Sequence, residues 1–138
     1  MIGFSSEIDR QALIIYRADD IVFAKGITKK IAESAGFSEH DTVLLQLVAE
    51  EACMNAFEHG FPLGKFDFEI AWLVEAGIME ITVCQNGEVF ELHHDPASKT
   101  KFLSHGRGLL LIQGIMDEVK LIPTGSNLTL LMRKGRRD

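Results

Sequence analysis

The sequence predicts an α/β two-layer sandwich: a mixed, mainly antiparallel sheet covered on one face by helices. Three observations predict it. Segments with helical apolar spacing alternate with runs rich in β-branched and aromatic residues. Those runs fall mostly into pairs joined by short turns, as antiparallel hairpins do. The resulting order, β-α-α-β-β-loop-α-β-β, sets long helices beside one sheet. At 138 residues the chain suits a single domain, 1–138, with a core of its own.

Each element has its own signal. ALIIYRA (12–18) is a β-branched and aromatic run, hence a strand. From Asp20 to Ala35, residues Ile21, Ala24, Ile27, Ile31 and Ala35 keep helical spacing, and Gly36 supplies a stop. A second helix starts at FSEHD, with Ser38 as N-cap and Asp41 three residues on. It runs to about residues 58–60, where Gly60 and Pro62 end it. FDFEIAWLV (66–74) and IMEITVC (78–84), separated by EAG, form a hairpin. No period is evident between Asn86 and Gly106, where HHDPASKTK reads as a polar loop, long for so short a chain. The apolar stretch 108–116 is helical, and EVKLIP (118–123) with NLTLLMR (127–133) forms a second hairpin around TGS.

Composition narrows the function. Hydrophobic content of 46% and charged content of 25% are those of an ordinary globular protein. A net charge of −6 argues against a general nucleic-acid binder. The basic run RKGRRD is too short to reverse that and reads as a solvated tail. Cys53 and Cys84 suit buried free thiols in a reducing compartment, and no CxxC pair suggests zinc. The N-terminal MIGFSSEIDRQ lacks the pattern of a secretory signal, and no apolar stretch is long enough for a membrane span. The expectation is a cytoplasmic protein with no membrane partner.

The segment LLQLVAEEACMNAFEHG (44–60) carries an anomaly. At about 100° per residue, Leu47, Val48, Glu51, Asn55, Glu58 and His59 fall within roughly 60° of Leu44, while Glu50 points away. A greasy stripe thus turns polar without changing face. Either the helix end leaves the core, or its buried face becomes the wall of a polar cleft. Glu51 and Asn55 lie one turn apart, a carboxylate able to accept a proton beside an amide oxygen suited to magnesium. Two further places stand out. CQNGEVF (84–90) holds an Asn-Gly turn signal. In HGRGLLLIQGIMDEV (105–119), Gly106, Arg107 and Gly108 open an apolar helix, where free backbone N–H groups and the helix dipole hold anions. Taken singly, each has a bland structural reading: a wet turn, an ordinary turn, a glycine pair at a helix start. Other constellations fail. GFPLGKF (60–66) lacks the spacing and the Ser/Thr of a phosphate-binding loop, and His93, His94, Asp95 and His105 lack metal-ligand spacing.

Together and in this order, the three segments resemble the boxes of the GHKL ATPases, most closely the branch of bacterial anti-sigma-factor serine kinases. EEACMNAFEHG resembles that branch's N box, CQNGEVF the second box, and GRGLLLIQGIMDEV the third, with its run Met-Asp-Glu-Val. The resemblance extends from ALIIYRA through the last strand and implies the Bergerat fold, in agreement with the two-layer reading. By the same resemblance Glu51 is the general base or orienting carboxylate, and Asn55 ligates magnesium. His59 borders the site. Gln85, Gly87, Gly106, Arg107, Gly108, Leu109 and Thr129 join Asn55 and His59 in contacting ATP, Thr129 lying near the adenine. Residues 96–105 form a short lid. The second box usually opens with an aspartate that accepts from the adenine amine. Here it opens with Gln85, longer and neutral, from which weaker ATP binding or poorer rejection of guanine is expected. Val89 stands where many members have a second glycine.

The activity implied is an ATP- and magnesium-dependent serine/threonine protein kinase acting as an anti-sigma regulatory factor. Its implied partners are a STAS-type anti-anti-sigma factor, which it phosphorylates, and a sigma factor, which it sequesters; a homodimer is also implied. The alternative is a non-catalytic or weakly ATP-binding module of the same fold in the same kind of switch, a reading favoured by Gln85. A histidine-kinase catalytic domain fits less well, since the chain has no room for a dimerising helix pair with a phosphoacceptor histidine.

Overall fold

A computed structural model of the chain describes residues 8–60, 67–86, 107–124 and 127–137. The elements are β1 (Ile8–Ile15), α1 (Asp19–Ser34), α2 (Glu39–Gly60), β2 (Phe68–Glu75), β3 (Ile78–Asn86), α3 (Arg107–Ile115), β4 (Glu118–Thr124) and β5 (Asn127–Gly135). The strands form one sheet in the order β1-β2-β3-β5-β4. All four pairings are antiparallel, so the sheet is antiparallel throughout its described strands.

Local chemistry explains most boundaries. The first strand ends at Ile15, short of the run 12–18, because the Asp20 carboxylate reaches back and accepts from the N–H groups of Tyr16 and Arg17, at 2.8 and 3.2 Å. Backbone groups bound there are lost to the sheet. Helix α1 closes in a Schellman motif: Gly36 N–H donates to Glu33 O, Phe37 N–H donates to Ala32 O, and Gly36 takes φ of 88°. Phe37 is buried beneath this turn. Asp41 N–H donates to Ser38 Oγ at 3.0 Å, the expected cap of α2. Between β2 and β3, Ala76 and Gly77 both take positive φ, 54° and 78°, the backbone of a type I′ hairpin turn.

Alternation along the strands separates two faces. Phe68, Ile70, Trp72 and Val74 of β2, Ile81 and Val83 of β3, and Leu130 and Met132 of β5 are buried with residues of the helices. The opposite face carries Glu80, Glu118 and Arg133, linked by ion pairs of 2.9 and 3.1 Å. On the helical side, α2 presents Ala49, Ala52, Cys53 and Ala56, all buried, so its axis lies close to the sheet. Burial holds the Cys53 thiol up to about 12, so it is an inert packing group. Cys84 is only half-buried and not part of this core.

One polar chain crosses the core. Trp72 Nε1–H donates to Thr28 Oγ1 at 2.9 Å, and that hydroxyl donates to Ala24 O at 2.8 Å. Thr28→Val would leave the indole N–H buried without this acceptor. It is expected to cost about 1–3 kcal/mol, read as a lower urea midpoint at unchanged slope. A variant as stable as the native chain would show that the indole finds another partner.

The basic C-terminal run is tied to the fold rather than a solvated tail. Lys134 is buried and donates to Ile115 O; Arg136 donates from Nη1 to Ala35 O at 3.0 Å; Arg137 pairs with Asp117 at 2.7 Å. Among the described residues, no helix is long and apolar enough to cross a membrane.

Candidate functional site

The polar stripe on α2 acquires a position once the neighbouring elements are in place. The buried centre of the helix runs through Leu45, Val48, Ala49, Ala52 and Ala56. This lies about one residue step, roughly 100°, around from Leu44. Glu51 therefore sits on the margin of the buried stripe and is half-buried, with Asn55 closer in and 6% exposed. Glu50 faces the other way and pairs with Lys25 of α1 at 3.3 Å.

The N-terminal turn of α3 closes this margin. Leu109 and Ile112 anchor α3 in the core, which brings Gly108 against α2. A Cβ built on Gly108 would lie 2.5 Å from Glu51 Oε1, 3.5 Å from Asn55 Nδ2 and 3.6 Å from Glu51 Cβ. The carboxylate and the amide thus meet the first turn of α3, where helix N–H groups lack intrahelical acceptors. Only a residue without a side chain fits there with Glu51 in this rotamer.

Among the described residues, neither Glu51 nor Asn55 makes a hydrogen bond or ion pair. An amide this deeply buried is normally bonded to protein. With no partner among the described residues to fix it, the amide can turn either its oxygen or its nitrogen toward Gly108. A carboxylate, an amide oxygen and free N–H groups form a donor and acceptor set that fits a phosphate with its divalent cation.

Gln85 lies beyond Asn55, on β3. It is 4% exposed, and its Nε2 donates to Ala56 O at 2.6 Å. A carbonyl only accepts, so this bond fixes which end of the amide is which. Rotation would set two oxygens against each other. Oε1 is therefore left as the acceptor. Ala52, Asn55, Ala56, Val83, Gln85, Leu128 and Leu130 line a narrow hollow of about 10 Å³ between α2 and the sheet. Its walls are apolar, and the two amides are its polar groups.

The structure thus brings together Glu51, Asn55, Gly108 and, one step away, Gln85. Arg107 begins α3 and Leu109 follows as a core anchor. His59 belongs to the last turn of α2, but its side chain, like that of Arg107, lies outside the described set. Gly87, Gly106, the lid 96–105 and the histidine cluster also lie outside the described residues. Thr129 is a correction. It pairs with Cys84, whereas Gln85 pairs with Leu128, so Thr129 faces the side of the sheet opposite the hollow. The pocket-side residues of β5 are Leu128 and Leu130. The sequence gives the alternation of faces along the strand, but the register with β3 that decides which face is which comes from the fold. Ala56 was also missed. Its backbone carbonyl does the work, and no side-chain pattern reports that.

Comparison with known proteins places the chain in a family. The family model described as the histidine kinase-like ATPase domain matches residues 17–134. The chain belongs to that family. Within it, the GHKL branch of anti-sigma-factor kinases is the one represented by its relatives. The chain is 31% identical over 114 residues to the serine-protein kinase RsbW of Bacillus licheniformis, covering 75% of this chain and 71% of that one. It is 33% identical over 102 residues to RsbW of Listeria monocytogenes, covering 66% and 64%. Among solved structures, a chain of the SiaB–SiaC complex from Pseudomonas aeruginosa superposes with a TM-score of 0.67 at 14% identity, covering 94% of this chain and 90% of that one. At that identity the likeness is one of fold. A histidine kinase-like ATPase domain is a nucleotide-binding fold, and in this member Glu51 and Asn55 of α2 lie close to Gly108 at the start of α3.

Proposed function

We propose that the chain, acting as one domain, is an ATP-dependent serine/threonine protein kinase of the anti-sigma type, whose substrate is a hydroxyl on a STAS-type partner. The observation that carries this is Glu51 Oε1 and Asn55 Nδ2 packed against Gly108 at the start of α3. Asn55, through its amide oxygen, would hold magnesium. The cation, when bound, neutralises charge on the phosphates. The first-turn N–H groups of α3 receive phosphate oxygens, and Gly108 lets them approach. Gln85, tethered through its nitrogen, presents Oε1 to an exocyclic amine.

The chemical step is then a positioned displacement. The partner's hydroxyl oxygen forms a bond to the γ-phosphorus while the bond from that phosphorus to the β,γ-bridging oxygen breaks. ADP leaves, and the hydroxyl proton passes to the Glu51 carboxylate. Sequestration of a sigma factor, cytoplasmic residence and homodimerisation accompany this reading through the family; equilibrium sedimentation checks the last.

The deciding experiment incubates the chain with Mg·ATP and a candidate STAS protein and reads phosphate on serine or threonine by mass spectrometry. Phosphate on the partner supports the kinase. Absence of Mg·ATP binding, in a chain that still captures a STAS or sigma partner, selects the second reading, a non-catalytic interaction module, which Gln85 in place of aspartate favours. Asn55→Ala should abolish the magnesium-dependent part of ATP affinity, read by titration with and without the cation.

Gln85 gives a separate prediction. Because its bond to Ala56 fixes Oε1 as the acceptor, ATP should bind in preference to GTP, though more weakly than with an ionised acceptor. Gln85→Asp should strengthen ATP binding by about threefold to tenfold, as hydrogen bonds to charged groups do. Calorimetry with both nucleotides checks it. Equal affinities in the native chain and the variant would discard this role for Gln85.

A further inference from the structure

The far end of α3 is held as firmly as its cradle end, by residues that the site does not use. Lys134 is 5% exposed on the helical side of β5, next in alternation after Leu128, Leu130 and Met132. An apolar side chain would continue that series without burying an amine, which is costly unless the amine is bonded. Its Nζ instead donates to Ile115 O, the last carbonyl of α3, at 3.1 Å. A cation there meets the negative end of the helix dipole. The next residues complete a clamp: Asp117 N–H donates to Arg133 O at 2.8 Å, Gly135 N–H to Asp117 Oδ2 at 2.8 Å, and Arg137 to Asp117 Oδ1 at 2.7 Å. The bond from Gly135, with Arg137 and Lys134 nearby, keeps the Asp117 carboxyl below the usual carboxylate range.

We propose that Lys134 is a positioning residue for the phosphate cradle, acting through α3 from the end opposite the nucleotide. The inference rests on the kinase reading of the cleft. Helix α3 has nine residues, about 14 Å at 1.5 Å per residue, and is short enough to move as one strut. Its first turn lies close to α2, since a Cβ added at Gly108 would stand 2.5 Å from Glu51 Oε1 and 3.5 Å from Asn55 Nδ2. A strut held at Ile115 and Asp117 keeps its N–H groups at a fixed distance from those side chains. Released there, it slides or tilts, and the cradle loses its register with the carboxylate.

The test compares the native chain with Lys134→Met, which keeps length and loses donor and charge, and with Asp117→Asn, a milder release that folds if the first does not. Mg·ATP is titrated by calorimetry and adenosine by NMR shifts. The Kd for Mg·ATP should rise about tenfold in Lys134→Met and about threefold in Asp117→Asn, in line with a cation at a partly buried helix end. Adenosine, which has no phosphate, should bind all three alike. A general loss of structure would weaken both ligands together, and that result, or no change in either, overturns the proposal. If the native chain binds neither ligand, the kinase reading fails. Hydrogen exchange then decides the clamp: faster exchange in α3 alone supports it, and equal rates in α3 overturn it.

Discussion

Glu51→Ala should lower phosphotransfer to a STAS partner by about 10²–10⁴, the range for losing a positioned general base, while Mg·ATP affinity is kept or slightly raised. The sign of the second effect follows from charge. The carboxylate packs against the turn that would receive the phosphates, so removing it removes a like charge from beside them. Single-turnover kinetics with saturating nucleotide separates the two effects. A variant that transfers phosphate at the native rate would remove Glu51 from the mechanism. A variant that loses rate and ATP affinity in proportion would make Glu51 a binding group instead.

Gly108→Ala should damage activity far more than stability. Its new methyl would stand 2.5 Å from Glu51 Oε1, a separation that cannot persist. The atom it meets is the far end of a flexible side chain, so Glu51 swings aside at little cost to folding. The new carbon would be 3.5 Å from Asn55 Nδ2, an ordinary contact that leaves the amide in place. The displaced group is the proposed base, and a misplacement of about 1 Å costs on the order of 10²-fold in rate. The expected result is a melting temperature within a few degrees of native with phosphotransfer down about 100-fold. Because both changes act on one group, Gly108→Ala should cost little more once Glu51→Ala is present. Independent, multiplying losses would show that the two residues do not share a site.

What the sequence revealed, and what it did not, follows the range of the interactions. Ser38 with Asp41 and the stop at Gly36 are contacts between near neighbours, and each was legible as a motif. The stripe that turns polar at Glu51 was legible as a period, though its position on the margin of the buried face depends on how α2 rolls against the sheet. Ile15 ends its strand because a carboxylate from the following helix takes two N–H groups, which β propensity does not register. Thr129 was misplaced because a family match gives a position on a strand, whereas its face is set by register with β3. The run RKGRRD looked solvated because its partners, Ala35 after α1 and Ile115 with Asp117 at the end of α3, come from two distant parts of the chain. The meeting of Gly108 with Glu51, 57 positions apart, needed the fold.

The most direct measurement replaces magnesium with manganese in a nucleotide complex and records amide NMR signals. A paramagnetic ion on the phosphates broadens amides according to distance alone. Selective loss of the signals of Asn55, Gly108 and Leu109, with Gly77 and Arg133 toward the end of the sheet opposite Gln85 kept sharp, is the predicted pattern. Sharp signals at Asn55 and Gly108 beside broadening elsewhere would mean that the nucleotide does not lie between α2 and α3.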